Sequence, residues 1–227
     1  MRSRLIIFMA ALGLLAACSS GSKQPLVKTI WAQIKAQREA SKAPPAQKAT
    51  PTRAQIEELD SVMIQINLEG DAVWPILVGA SQNGQYVTYS SRLRQSVTLR
   101  ESQVVGTRGF GTDLVLASSS DNDPLKNLTP PSQWPQAVTR EYRFGGRAPD
   151  GRVERYDCVL QKGGAATIVL AGTSFDVVGF AETCTGADGQ FQNLYAADAK
   201  TGRVWQSQQY IGRNMGKLTL EVLEALG

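Results

Sequence analysis

The chain has 227 residues, 42% of them hydrophobic and 19% charged, which is enough to bury one full-sized core or two small ones and too apolar for disorder throughout. It contains no histidine, so Ser-His-Asp and Cys-His catalysis, His-ligated zinc and an imidazole pH switch are excluded. The formal charge of +4 points to an anionic partner only if the cations gather on the folded part, and their distribution says otherwise.

Residues 1–18 read MRSRLIIFMAALGLLAAC, two arginines followed by an apolar run from Leu5 to Ala17 and then Cys18. The run of 13 residues is too short to span a bilayer in a helix and has the form of a signal peptide covering residues 1–17. The ending Leu15-Ala16-Ala17-Cys18 resembles the lipobox of bacterial lipoproteins, in which the cysteine is acylated and becomes the new amino terminus. An ordinary secretory cleavage site would leave Cys18 unexplained. Several acyl chains, at about 0.8 kcal/mol per buried CH₂, anchor a protein firmly where a single chain does not. Ser19 stands where Asp would retain a lipoprotein in the inner membrane, so the expected address is the outer membrane, facing the periplasm.

Residues 18–54 then read as a lipid-anchored basic tether. Residues 22–54 hold seven cations against Glu39 alone, and residues 55–227 carry 15 Lys and Arg against 19 Asp and Glu. The folded part is therefore mildly acidic, and nucleic-acid binding has no support. The tether either lies on anionic headgroups or is a solvated spacer. Within it, residues 25–40 place Ile30 and Ile34 at helical spacing, and residues 41–51 carry three prolines and no apolar period, as a linker does. Thr52 with Gln55 forms a capping box for a short helix with Ile56 and Leu59 on its apolar face.

From Ser61 the apolar period changes to two, and residues 55–227 read as a single β-rich domain. Strands are expected over 62–67, 73–78, 85–90, 96–100, 113–118, 139–144, 153–160, 166–171, 175–184, 191–198 and 203–211, with turns at Asn83-Gly84, Asp150-Gly151, Gly163-Gly164, Asp188-Gly189 and Thr201-Gly202. Pro75 lacks a ladder donor and marks an edge strand or a bulge. Residues 217–226 fit a helix or a strand, and the strand reading is followed as far as Leu223. Turn signals this regular argue a mainly β fold, an antiparallel meander curling into a barrel-like or sandwich body with short N-terminal helices.

With Cys18 acylated, Cys158 and Cys184 remain, each in a strand and in an oxidising compartment. They are expected to form a disulfide worth about 3.5 kcal/mol by loop closure; the alternative is two buried thiols. Gly106 to Gly111 reads GTRGFG, which has the wrong glycine order for a dinucleotide site and fits a β bend, or else a ligand-facing loop that presents Arg108. Asp121 and Asp123 sit in a Ser-rich loop that reads as a loop before it reads as a metal motif. Glu182, in an apolar run, needs a cationic partner such as Arg155. Trp74 and Trp205 are expected in the core, and Trp134, between prolines, is the candidate exposed aromatic contact. No cofactor, metal or catalytic residue is expected.

The lipobox, the all-β body, GTRGFGTDL (106–114), the cysteines of RYDCVL (155–160) and AETC (181–184), and the strand from Gly202 to Ile211 together resemble the YjbF/GfcB lipoprotein family over about residues 55–227. The resemblance implies an outer-membrane lipoprotein associated with exopolysaccharide or group 4 capsule machinery, acting with an outer-membrane β-barrel protein and a periplasmic export partner. It brings no catalytic residues. The leading expectation is a non-catalytic accessory factor in polysaccharide assembly or export, touching protein or polysaccharide. The alternatives are a structural or chaperone-like envelope lipoprotein and a carboxylate-dependent polysaccharide-modifying enzyme.

Overall fold

The computed structural model describes residues 48–145 and 151–225; the signal segment, Cys18, the helix expected over 25–40 and most of the proline linker lie outside the described residues. Helix α1 (Arg53–Leu59) starts at the capping box, where Gln55 N donates to Thr52 Oγ1 at 3.4 Å and Thr52 N donates to Gln55 Oε1 at 2.9 Å. Asp60 ends it in the left-handed region at φ 44°. Ile56 packs against Met63, Leu223 and Ala171, whereas Leu59 faces solvent. Ahead of the helix, Lys48 pairs with Glu221 and lies over the Trp74 ring at 4.9 Å, while Gln65 Nε2 donates to Ala49 O at 3.0 Å. The end of the linker is thus seated on the outer face of the sheet.

Twelve strands follow: β1 (Met63–Leu68), β2 (Ile76–Asn83), β3 (Tyr86–Ser90), β4 (Ser96–Arg100), β5 (Gln103–Arg108), β6 (Leu114–Ser119), β7 (Ala137–Phe144), β8 (Arg152–Leu170), β9 (Thr173–Gly186), β10 (Gly189–Asp198), β11 (Val204–Gly212) and β12 (Gly216–Glu224). They form one antiparallel sheet in the order β5-β4-β3-β2-β1-β12-β11-β10-β9-β8-β7-β6. The sheet curls until its two ends meet: a Cβ on Gly106 of β5 would lie 3.6 Å from Leu114 O of β6. The result is a nearly closed barrel, as the meander of turn signals implies.

Alternation fills it. Ile64 and Ile66 on β1, Leu218 and Leu220 on β12, and Val97 and Leu99 on β4 point inward into one core, each contributing about 1.5–3 kcal/mol by burial. Charged and hydroxyl side chains such as Arg143, Arg155, Asp157 and Thr185 point outward. This is the inverse of a membrane-spanning barrel, whose outer face is apolar. Among the described residues no helix is long and apolar enough to cross a membrane.

The structure differs from expectation at several joints. Gly163-Gly164 does not turn the chain; it lies in a register shift within β8, which runs on to Leu170. The turn is made by Ala171 and Gly172, both at positive φ (48° and 84°), as a two-residue I′ hairpin requires. The Asn83-Gly84 hairpin exists with its loop one residue later, because Asn83 pairs with Tyr86 and leaves Gly84-Gln85 as the loop. Pro75 precedes an internal strand, and its carbonyl accepts from Ile66 N at 3.0 Å. Residues 103–108 form a strand, β5, although half of it lies in the glycine-rich motif. The C-terminal segment is a strand through Glu224.

Helix α1, the β6–β7 connection with its two 3₁₀ turns (Pro124–Lys126 and Pro131–Gln133) and the far end of the β8–β9 hairpin all stand at one rim of the barrel. The tip of that hairpin, Ala171, packs against Ile56 of α1. The opposite rim carries only short connections among the described residues.

Candidate functional site

The barrel wall from β6 to β10 holds the chemistry-bearing residues, and its inner side is a closed polar network. Glu182 on β9 is fully buried, and its cation is Arg140 on β7 rather than Arg155. Arg140 Nε donates to both Glu182 oxygens at 2.9 and 3.0 Å, Nη2 lies 2.8 Å from Glu182 Oε1, and Nη1 donates to Asp123 Oδ2 at 2.9 Å. Asn193 Nδ2 and Tyr195 OH each donate to Glu182 Oε2 at 2.7 Å. Burial works against the Arg140 charge, and Glu182, with Tyr195 and Asp123, more than offsets it, so its pKa lies well above the ordinary arginine value. Burial and the Glu182 charge push the Tyr195 hydroxyl well above its usual value, which keeps it a donor. The other oxygen of Asp123 accepts from Leu125 N at 3.0 Å and caps the first 3₁₀ turn.

A second buried acid, Glu154 on β8, accepts from Tyr156 OH at 2.9 Å and Tyr210 OH at 2.8 Å through one oxygen, and faces Arg152 Nη2 at 2.9 Å through the other. Around it Tyr142, Tyr156, Phe191 and Tyr210 pack edge-on or stacked, with ring centroids 4.0–6.0 Å apart. Burial raises the Tyr156 hydroxyl to about 12. Neither acid meets solvent: Glu182 is held by Arg140, Asn193 and Tyr195, and Glu154 by Tyr156, Tyr210 and the nearby Arg152.

Cys158 and Cys184 face each other across the β8–β9 ladder with their sulfurs 2.06 Å apart, at disulfide distance. Glu182 stands beside them, within 4.8 Å, but its oxygens are already occupied and two bonded sulfurs offer no thiolate. Trp134 is not an exposed contact. Its ring stacks on Phe180 with centroids 4.0 Å apart, and Nε1 donates to Thr129 O at 2.7 Å. Trp205 stacks on Phe175 at 4.0 Å, and Trp74 is buried.

Arg108 is exposed, as the ligand-facing alternative requires, and its Nη1 ties it to the seam, donating to Thr107 O at 2.6 Å and Leu114 O at 3.1 Å. Asp113 accepts from the backbone N–H groups of Gly109 and Phe110 at 3.0 and 3.1 Å, and Leu114 N donates to Thr107 Oγ1 at 2.9 Å. Farther along, Gln209 on β11 accepts from Val104 N at 3.0 Å and donates to Ser102 O at 2.8 Å. GTRGFG is therefore the bend that joins β5 to β6, and side chains satisfy the edge groups that a ladder would otherwise pair.

On the outer side of the same wall, register lays polar residues in two rows. Thr139 faces Asp157, Asp157 faces Thr185, and Ser120 N donates to Thr139 O at 3.1 Å; one step along, Ser118 faces Glu141 and Glu141 faces Arg155. These residues line a cleft of about 650 Å³. Arg143 Nε and Arg155 Nε donate to the two Glu141 oxygens at 2.8 Å each, and the Arg143 bond is the main reason its pKa falls below the usual carboxylate value. Gly186 is required here, since a Cβ would sit 2.1 Å from Arg155 O. None of this was readable as a site beforehand, because its residues are ordinary surface types spread from 118 to 187.

No curated protein matches the chain. Among solved structures, the crystal structure of the hypothetical lipoprotein YmcC from Escherichia coli (K12) is similar, with TM-score 0.65 and 20% identity over 91% of this chain and 99% of that one; this likeness establishes the fold. The family model described as "Group 4 capsule polysaccharide lipoprotein gfcB, YjbF" matches residues 26–223. The nearly closed antiparallel barrel described here thus belongs to the YjbF family of group 4 capsule polysaccharide lipoproteins.

Proposed function

We propose that the protein is a non-catalytic accessory factor in the assembly or export of an exopolysaccharide or capsule, held at the outer membrane through acylated Cys18 and facing the periplasm. Family membership over residues 26–223 carries this reading. The burial of Glu154 and Glu182 inside a filled barrel supports the non-catalytic part, because an acid that protonates a glycosidic oxygen has to meet its substrate. A polar outer face suits a protein tethered beside the membrane by lipid rather than inserted through its strands. Its partners on this reading are the outer-membrane lipid, an outer-membrane β-barrel protein, a periplasmic export partner and the polysaccharide itself.

Affinity capture of the lipidated protein from native envelopes, with mass spectrometry of co-purifying protein and glycan, tests the reading. Recovery of an outer-membrane barrel or of secreted polysaccharide is the expected result. If the protein is recovered alone and shortens purified polysaccharide, an enzymatic role replaces the one proposed.

A further inference from the structure

We infer that the cleft on the outer face of β6–β9 is a binding site for an uncharged, polyhydroxylated glycan, an inference that rests on the proposed role in polysaccharide export and names the ligand class and the residues. The cleft has a floor and a wall. Ser120, Thr139, Asp157 and Thr185 form a row of short side chains, and the neighbouring row carries the longer Glu141 and Arg155. Four strands span three interstrand spacings, roughly 14 Å, and the two rows stand about 7 Å apart, a footprint for a short stretch of a sugar chain.

Three observations fix the ligand class. Asp157 and the hydroxyls of Thr139 and Thr185 are exposed and make no hydrogen bond or ion pair among the described residues, so their bonding capacity faces the cleft. A carboxylate flanked by hydroxyls offers acceptors to adjacent sugar hydroxyls and donors to their oxygens. The cleft offers no surplus of cations: Glu141 and Asp157 stand against Arg155, and Arg140 is already neutralised by Glu182 and Asp123 on the inner side, so a polyanion gains no net attraction and meets the Asp157 carboxylate. Under the cleft β7, β8 and β9 are paired on both sides, and the outer edge of β6, the last strand of the sheet, is turned to β5, leaving an extended peptide no edge to extend inside the cleft.

The platform is rigid where it has to be. Directly behind the rows, on the inner side, lie the Arg140–Glu182–Asp123 network and the Cys158–Cys184 pair. Arg155 is already held by Glu141 at 2.8 Å, so binding immobilises little that is not fixed beforehand. The cleft is lined without an aromatic ring able to stack on a sugar other than the buried Tyr156, so single-site affinity is weak. A repeating polymer meeting many copies on one membrane raises it through multivalency.

The test uses the mature lipoprotein in detergent and the producing cell's own surface polysaccharide, separated by ion exchange into neutral and anionic pools. Retention of the neutral pool is measured for the wild type, for Asp157→Asn, for Thr139→Val/Thr185→Val and for the control Glu58→Gln on helix α1. The expected result is retention by the wild type and the control, weakened at least tenfold in both cleft variants at unchanged melting temperature, and altered less than twofold between 50 and 500 mM NaCl. Equal retention by the cleft variants overturns the site while leaving the export role intact. Retention of the anionic pool alone, abolished by salt, overturns the ligand class. Failure of the wild type to retain either pool overturns the inference. The export role is judged separately, by whether deletion of the gene lowers surface polysaccharide.

Discussion

Replacing Arg140 by Met removes the single cation from a site where the side chains of Glu182 and Asp123 are 0% exposed. Glu182 keeps its bonds from Asn193 and Tyr195, but two buried carboxylates lose their counter-charge together. Breaking a buried pair from one side costs about 3–5 kcal/mol. At roughly 2–4 °C per kcal/mol for a domain of this size, melting should fall by about 6–20 °C. Equilibrium unfolding in guanidinium, followed by tryptophan fluorescence, measures the loss. Arg140→Met/Glu182→Gln should cost less than the two single changes added together, because the second change removes one of the charges the first one stranded. A loss below about 1 kcal/mol for Arg140→Met, or strict additivity, would refute the view of this network as the buried strut behind the cleft.

Cys158→Ser should lower stability by about 2–4 kcal/mol in the oxidised protein and by nothing once the wild type is reduced; an unchanged melting temperature would count against the disulfide. Gly186→Ala should cost about 1–3 kcal/mol, because the new Cβ would lie 2.1 Å from Arg155 O and 2.8 Å from the Tyr156 ring and would force β8 and β9 apart; thermal melting reads it, and a neutral result would contradict the register at Tyr156 and Gly186. Asp198 gives the pH test. Burial raises its pKa, but the N–H groups of Thr201 and Lys200, the Thr201 hydroxyl and the Trp205 indole lower it further, to a net value below 3.8. The folded value is depressed, so the stabilisation is present above the unfolded value near 3.9 and is lost as pH falls through the folded one. Asp198→Asn should therefore cost about 1 kcal/mol at neutral pH, a cost that fades as pH falls through the folded pKa, with NMR titration of Asp198 as the direct check.

Local pattern carried the fold a long way. Alternation in residues 62–67 and 96–100, and the capping box at Thr52, each depend on neighbours within a few positions, and each element stands where the spacing puts it. The errors came where glycine has two meanings. Gly163-Gly164 offered a turn but supplies a register shift, because Ala171-Gly172 provides a sharper one, and the glycines of 106–111 hid the strand β5. The candidate site was not legible because it is built by long-range register. Arg140 reaches Glu182 across 42 positions, and the cleft joins residues of four strands whose individual types are unremarkable. Trp134 misled for a related reason: its prolines correctly marked a loop, but the loop folds over the barrel rim and brings the ring onto Phe180.

The role in polysaccharide export is tested most directly by deleting the gene and complementing it with the wild type or with Cys18→Ser, measuring surface polysaccharide together with its chain length and composition. The predicted result is a fall in surface polysaccharide that the wild type restores and Cys18→Ser does not, with the chain length and composition of the remaining polymer unchanged. Unaltered surface polysaccharide in the deletion strain, or a change in polymer length or composition, would contradict it.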